Sequence, residues 1–288
     1  MSLSERCKSA APRGGSALAR RLRLDSSLLL PDNHLSKGGL ETHPTVGYVL
    51  GMFRIAVFLL LLSTLPLRAE EALVAVAANF LKPAVVLAKA YEAESGHEIA
   101  LASGSTGQHY AQIVHGAPYD LFLAADQDRP ALLAVDGLAG EPVTYAVGQL
   151  TYVSPMFDPT LEWFEAAYEA ELIAIANPAL APYGRAAREA LEAKGLWDQL
   201  TTVQGQNVGQ AYAFVASGNV RGGLVALSLA VDREGFYAVV PSDLHAPIRQ
   251  DAVLLNRGKG NLAAEGFLDY LGSDDAVRVL EEFGYLRP

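Results

Sequence analysis

Downstream of residue 71 the chain alternates short apolar runs with longer stretches in which apolar residues recur every three or four positions. Leu73-Val74-Ala75-Val76-Ala77 has the length and continuity of a buried strand, and Phe80, Val85, Val86, Leu87, Ala90 and Tyr91 then form a helical stripe ending near Gly96. The same alternation recurs. Residues 99–102 predict a strand, Ser103-Gly104-Ser105-Thr106-Gly107 turns into a helix carrying Tyr110, Ile113 and Val114, and Gly116-Ala117-Pro118 stops it before a strand over 120–125. A Gly- and Pro-containing segment, 137–142, leads into a β-prone stretch, 143–153, long enough to cross between two lobes. Beyond it the pattern predicts a strand at 172–176, a loop at 177–184 and a helix from 185 to 194. A helix at 208–216, strands at 222–227 and 238–240, and helices at 262–271 and 276–283 complete it. Strand followed by amphipathic helix, repeated, predicts largely parallel sheets with helices packed on them.

Charge separates the first 69 residues from the rest. The whole chain of 288 residues carries a formal −10, but residues 1–69 are net +5 and residues 70–288 net −15. Met52-Phe53-Arg54 precedes an apolar run, 55–62, too short for the roughly 20 residues of a bilayer-spanning helix; with Ala69 before Glu70-Glu71 it reads as a secretory signal over 52–69, cleaved near Ala69. A buried strand or an uncleaved membrane anchor is the alternative. A signal begins close to its initiator Met, so Met52 is the expected start and residues 1–51 a translated leader or disordered extension. The single cysteine, Cys7, excludes an internal disulfide and a thiolate zinc site.

Candidate chemistry lies where strands give way to helices. Ala77-Ala78-Asn79, Ser103-Gly104-Ser105-Thr106-Gly107 and Pro182-Tyr183-Gly184 are small or hydroxylated, and Asn79 stands where a helix N-cap is expected. Helix N-termini present unpaired N–H groups and partial positive charge, so several converging on one crevice make an anion site without Lys or Arg. Each junction taken alone reads as an ordinary cap, since these residue types are the commonest caps. The acidic balance and the lack of a Lys/Arg cluster after residue 69 disfavour nucleic acid and anionic membrane surfaces as partners. Nucleophile-elbow, S-x-x-K, H-E-x-x-H, Walker A and G-x-G-x-x-G motifs are missing, and His97, His109, His115 and His245 lack metal-ligand spacing. His109 and His115 read as helix-surface residues. Asp126 and Asp128 read as a helix cap with a first-turn acid rather than a catalytic pair. The Tyr183 hydroxyl, on a Pro-Gly loop, can close over a ligand or simply pack against the next helix.

These junctions, with Val74 to Phe80, Gly116 to Asp126, Asn177-Pro178 through Gly184 and Gly209-Gln210-Ala211, resemble the periplasmic molybdate-binding protein family of ABC transporters over most of residues 72–288. The resemblance implies a two-lobe periplasmic binding protein fold of type II: an α/β architecture of mixed, mostly parallel sheets flanked by helices, with the ligand cleft between the lobes. Residues 70–148 with 245–288 are expected to form the first lobe and 149–244 the second. Asn79 and Thr106, with Ser105 beside it, are the ligand residues it implies in the first lobe; Tyr183 and Val208 are those of the second, through backbone N–H groups. All contact the oxyanion and none ligates the metal directly. Some family members have Ser at position 79, and some add a Tyr hydroxyl where Ala226 stands here, leaving Ser228 as a neighbouring group that could compensate. The implied function is capture of molybdate, and tungstate with it, for import through a permease and its ATPase, by an exported monomeric protein without catalysis or cofactor. Receptors for sulfate or phosphate on the same fold are the nearest alternative. An exported hydrolase using Asp120 or Asp126, and the effector half of a transcription regulator, are the others.

Overall fold

The computed structural model describes residues 69–288 apart from 157, 159–160 and 232–235. The leader expected over 1–51 and all of the signal segment except Ala69 lie outside the described residues.

Two five-stranded sheets organise the chain. The first has the order β2-β1-β3-β10-β4, built from β1 (Glu71–Ala77), β2 (Glu98–Gly104), β3 (Leu121–Leu123), β4 (Val143–Gly148) and β10 (Ile248–Leu254). The second has the order β7-β6-β8-β5-β9, from β5 (Leu150–Ser154), β6 (Leu172–Ala176), β7 (Thr201–Gly205), β8 (Gly222–Ala226) and β9 (Phe236–Val239). β1 pairs in parallel with β2 and β3, whereas β10 is antiparallel to both β3 and β4. In the second sheet β6 is parallel to β7 and β8, and β5 antiparallel to β8 and β9. Each sheet thus has one reversed strand, and in each it is the strand by which the chain crosses between sheets. β5 enters the second sheet straight from β4, and β10 brings the chain back. This is the type II two-lobe binding-protein fold.

Side-chain alternation explains the layering. Val74 and Val76, with Leu121 and Leu123, face a core shared with Phe80, Leu87, Phe267 and Leu280; Ala75, Phe122 and Val253 face the opposite core with Ile113 and Leu133. The first sheet is therefore covered on one side by α1 (Leu81–Ser95), α7 (Leu262–Tyr270) and α8 (Asp274–Glu282), and on the other by α2 (Thr106–Val114) and α3 (Asp128–Val135). Around the second sheet, α4 (Trp163–Ala170), α5 (Pro182–Ala193) and α6 (Val208–Ala216) bury Trp163, Ala187, Leu191 and Val215.

Three expectations change. Asn79 is not an N-cap: it sits inside a single 3-10 turn, Ala78–Phe80, and the residue before α1 makes no side-chain cap bond. Pro182-Tyr183-Gly184 is not loop but the first turn of α5, because proline at the first helical position has a suitable φ and lacks only an N–H that would have no partner there. His109 is buried at 3% exposure, with Nε2 3.2 Å from the Val76 carbonyl oxygen, while His115 is exposed as expected. The His109 ring fills the space above Gly104, where a Cβ would stand 2.8 Å from Nε2. Burial holds its pKa below the usual value, opposed by the hydrogen bonds to Gln112 and Val76.

Candidate functional site

The first turns of helices from both lobes meet. In the first lobe, Ser105 caps α2: its hydroxyl accepts from the Gln108 N–H at 3.2 Å, and the Gln108 side chain accepts from the Ser105 N–H at 3.2 Å. Thr106 follows as the first helical residue, and its Oγ1 accepts from the Ala125 N–H at 3.0 Å. That bond fixes the rotamer and leaves the hydroxyl proton free to be donated elsewhere. In the second lobe, Asn207 caps α6 by accepting from the Gln210 N–H at 2.9 Å, so Val208 stands at the first position with a backbone N–H that has no partner within the helix. Tyr183 holds the second position of α5, another first-turn donor.

These segments touch across the cleft. The Gly107 N–H donates to the Leu180 carbonyl at 2.9 Å, which brings the first turn of α2 against the loop entering α5. Glycine is needed there, since a Cβ at 107 would stand 2.9 Å from that carbonyl oxygen. The Gln108 and Gln206 side chains meet at 3.4 Å, and a methyl at Gly209 would lie 3.5 Å from Ala78 Cβ. Ser228, beyond β8, donates its hydroxyl to the Asn79 carbonyl at 2.8 Å. Its proton is thereby committed to the protein.

Asn79 anchors a buried polar group that the sequence reading did not assemble. Its Nδ2 donates to Gln250 Oε1 and to the Tyr285 hydroxyl, both at 2.9 Å. The Tyr285 hydroxyl in turn lies 3.0 Å from the Asn79 carbonyl and 3.2 Å from Ser228 Oγ. Gln250 Nε2 donates to the Tyr183 hydroxyl at 3.2 Å, and the Tyr145 hydroxyl is within hydrogen-bond reach of Gln250 Oε1 and the Ala124 carbonyl. The Tyr183 hydroxyl is therefore tied to a glutamine of the first sheet, not suspended over the cleft.

Every member of this group is neutral. Burial pushes the hydroxyl pKa of Tyr183 and Tyr145 well above the ordinary tyrosine value and raises that of Tyr285 too; neighbouring tyrosines add to the effect at Tyr183 and Tyr145, so all three stay protonated at physiological pH. Gln250, Tyr145 and Tyr285 went unrecognised because their partners are far away in sequence: Asn79 is separated from Gln250 by 171 positions and from Tyr285 by 206. The one local signal was a glutamine interrupting an apolar strand.

Asp126 and Asp251 act on this group through their charge, adding to the rise at Tyr145. Asp120 accepts from the Leu73 N–H at 2.8 Å and pairs with Arg257, and Asp126 pairs with Arg129. Burial raises the Asp126 pKa, and the Arg129 charge opposes the rise. Arg129 also reaches the Ala179 carbonyl at 3.2 Å, while Arg185 of α5 pairs with Asp128 of α3 at 3.1 Å, so these side chains link the lobes. Asp126, Asp128 and Arg185 line, with Glu189 and Arg249, a cleft of about 270 Å³ whose charges are of both signs and whose wall includes Ala125 and Pro182.

The architecture and sequence have counterparts among known proteins. The model of the bacterial extracellular solute-binding proteins matches residues 72–286. The molybdate-binding protein ModA of Rhodobacter capsulatus is 40% identical over 230 residues, covering 77% of this chain and 90% of that protein. ModA of Azotobacter vinelandii is 41% identical over 231 residues, covering 76% and 90%. Among solved structures, the Azotobacter vinelandii periplasmic molybdate-binding protein superposes with a TM-score of 0.71 at 35% identity, over 75% of this chain and 99% of that one.

Proposed function

Because the chain belongs to the bacterial extracellular solute-binding protein family, and within it to the molybdate-binding proteins, we propose that it captures molybdate, and tungstate with it, between its two lobes. It acts after export to the periplasm, as a monomer, and delivers the anion to a membrane permease driven by an ATPase. It needs no cofactor and catalyses no reaction. Asn79 contributes through its backbone N–H, since both of its side-chain N–H groups are held by Gln250 and Tyr285, and Thr106 through its hydroxyl, with Ser105 beside them, in the first lobe; the backbone N–H groups of Tyr183 and Val208 supply the contacts of the second.

The observation that carries this reading is the meeting of helix first turns from both lobes beside a wholly neutral polar group. A tetrahedral dianion that leaves water needs several donors at contact distance. First-turn N–H groups supply them together with the positive end of the helix dipole. Neutral donors suit a fully deprotonated anion, since no acceptor is required for a ligand proton. Donors divided between two lobes reach full number only when the lobes are together, so the anion stabilises the closed form that the permease would recognise.

Calorimetric titration of the purified mature protein with molybdate, tungstate, sulfate and phosphate in one buffer tests this. One-to-one binding of molybdate and tungstate with little heat from the other two is expected. A response to sulfate or phosphate with silence from molybdate would keep the fold and overturn the ligand.

A further inference from the structure

Gln250 joins the two lobes through the two ends of one carboxamide. It lies on β10, the strand that returns from the second lobe, and its side chain is completely buried. Its oxygen accepts from Asn79 of the first lobe at 2.9 Å, and its nitrogen donates to the Tyr183 hydroxyl of the second at 3.2 Å. The neighbouring strand is shaped around this contact. Gln250 pairs with Ala146 and Asp251 with Thr144, which leaves Tyr145 as the extra residue of a bulge, its hydroxyl 3.1 Å from Gln250 Oε1. Bulges re-aim side chains in this way, and they are common beside functional sites. A primary carboxamide offers an acceptor to Asn79 and a donor to Tyr183 from one rigid plane. A carboxylate would lack the donor and place a charge in the buried group; an apolar side chain would leave the Asn79 amide and the Tyr183 hydroxyl short of partners.

We propose that Gln250 is a positioning residue for the oxyanion site: it fixes Asn79 and the first turn of α5 in mutual register, and so sets how firmly the lobes hold the anion. This rests on the receptor reading above. Gln250 itself does not touch the anion. It acts through the Asn79 side chain on one side and, on the other, through the Tyr183 ring that locates the Tyr183 N–H.

The test is a double-mutant cycle on the full protein with Gln250→Met and Tyr183→Phe, read by molybdate titration and by the distance between spin labels on the exposed positions Val135 and Tyr168. Tyr183→Phe keeps the backbone N–H and removes only the hydroxyl that Gln250 holds. Gln250→Met is expected to weaken molybdate binding roughly 10- to 100-fold, the scale of losing more than one hydrogen bond at once. Tyr183→Phe alone should weaken it roughly 3- to 10-fold and add little in the Gln250→Met background. With molybdate saturating, the label distances of Gln250→Met should remain broader and longer than those of the wild type, a change that lower stability alone would not produce. Wild-type affinity in Gln250→Met, or fully additive effects, overturns the proposal while the receptor reading stands. If Gln250→Met does not fold, Tyr183→Phe decides, and unchanged affinity in that variant overturns it. A wild-type protein silent to molybdate, tungstate, sulfate and phosphate overturns the receptor reading, and this proposal with it.

Discussion

Thr106 does two things with one hydroxyl. Its oxygen takes the Ala125 N–H at 3.0 Å, and its proton is left for a ligand. Thr106→Ser keeps both functions and should bind molybdate within a few-fold of wild type. Thr106→Val loses a hydrogen bond to a charged acceptor, worth about 1.5–3 kcal/mol, and should bind roughly 10- to 100-fold more weakly by titration. Equal affinity in Thr106→Val would remove Thr106 from the site. Gly148 presents a different constraint, set by space. A Cβ there would lie 2.6 Å from Gln250 Nε2 and would run into the Tyr183 hydroxyl as well, so Gly148→Ala displaces both partners of the interlobe contact. It should lower the melting temperature and weaken anion binding together, whereas a change in stability alone would contradict the link between this interlobe contact and the anion site.

At the scale of elements, most strands and helices follow from apolar periodicity, and the exceptions have physical causes. β10 escaped recognition because Gln250 and Asp251 interrupt its apolar run, and those two polar residues are buried by hydrogen bonds to distant segments. Asn79 looked like a cap because its residue type and its place before an apolar stripe are those of a cap; its amide instead bonds to Gln250 and Tyr285, which no local pattern encodes. The helix junctions were legible since Ser, Thr, Asn, Pro and Gly mark helix starts by local chemistry. α2 adds a pH effect of its own through His109. Because its folded pKa is depressed, the unfolded chain takes up a proton first, from about pH 6.5 downward. Stability should therefore be complete above about pH 7 and decline as pH falls toward the folded pKa, by at most about 1.4 kcal/mol per pH unit. Melting temperatures from pH 7.5 to 5.5 should fall more steeply for the wild type than for His109→Gln; equal slopes would contradict a buried neutral imidazole.

The whole molecule opposes its proposed ligand at long range and welcomes it at contact. Residues 70–288 carry a net −15, which repels a dianion until it enters the cleft, and salt screens that repulsion beyond about 8–10 Å. The association rate for molybdate should therefore rise as sodium chloride goes from about 20 to 200 mM, with little change in dissociation; a falling rate would mean that an attracting positive surface guides the anion. Capture between lobes through neutral donors is the central claim, and locating the metal tests it most directly. In crystals of the molybdate complex, the anomalous signal of molybdenum is predicted beside the first turns at Asn79, Thr106, Tyr183 and Val208, with Gln250 behind Asn79. A signal in the charged cleft lined by Arg185 and Arg249 would contradict the account.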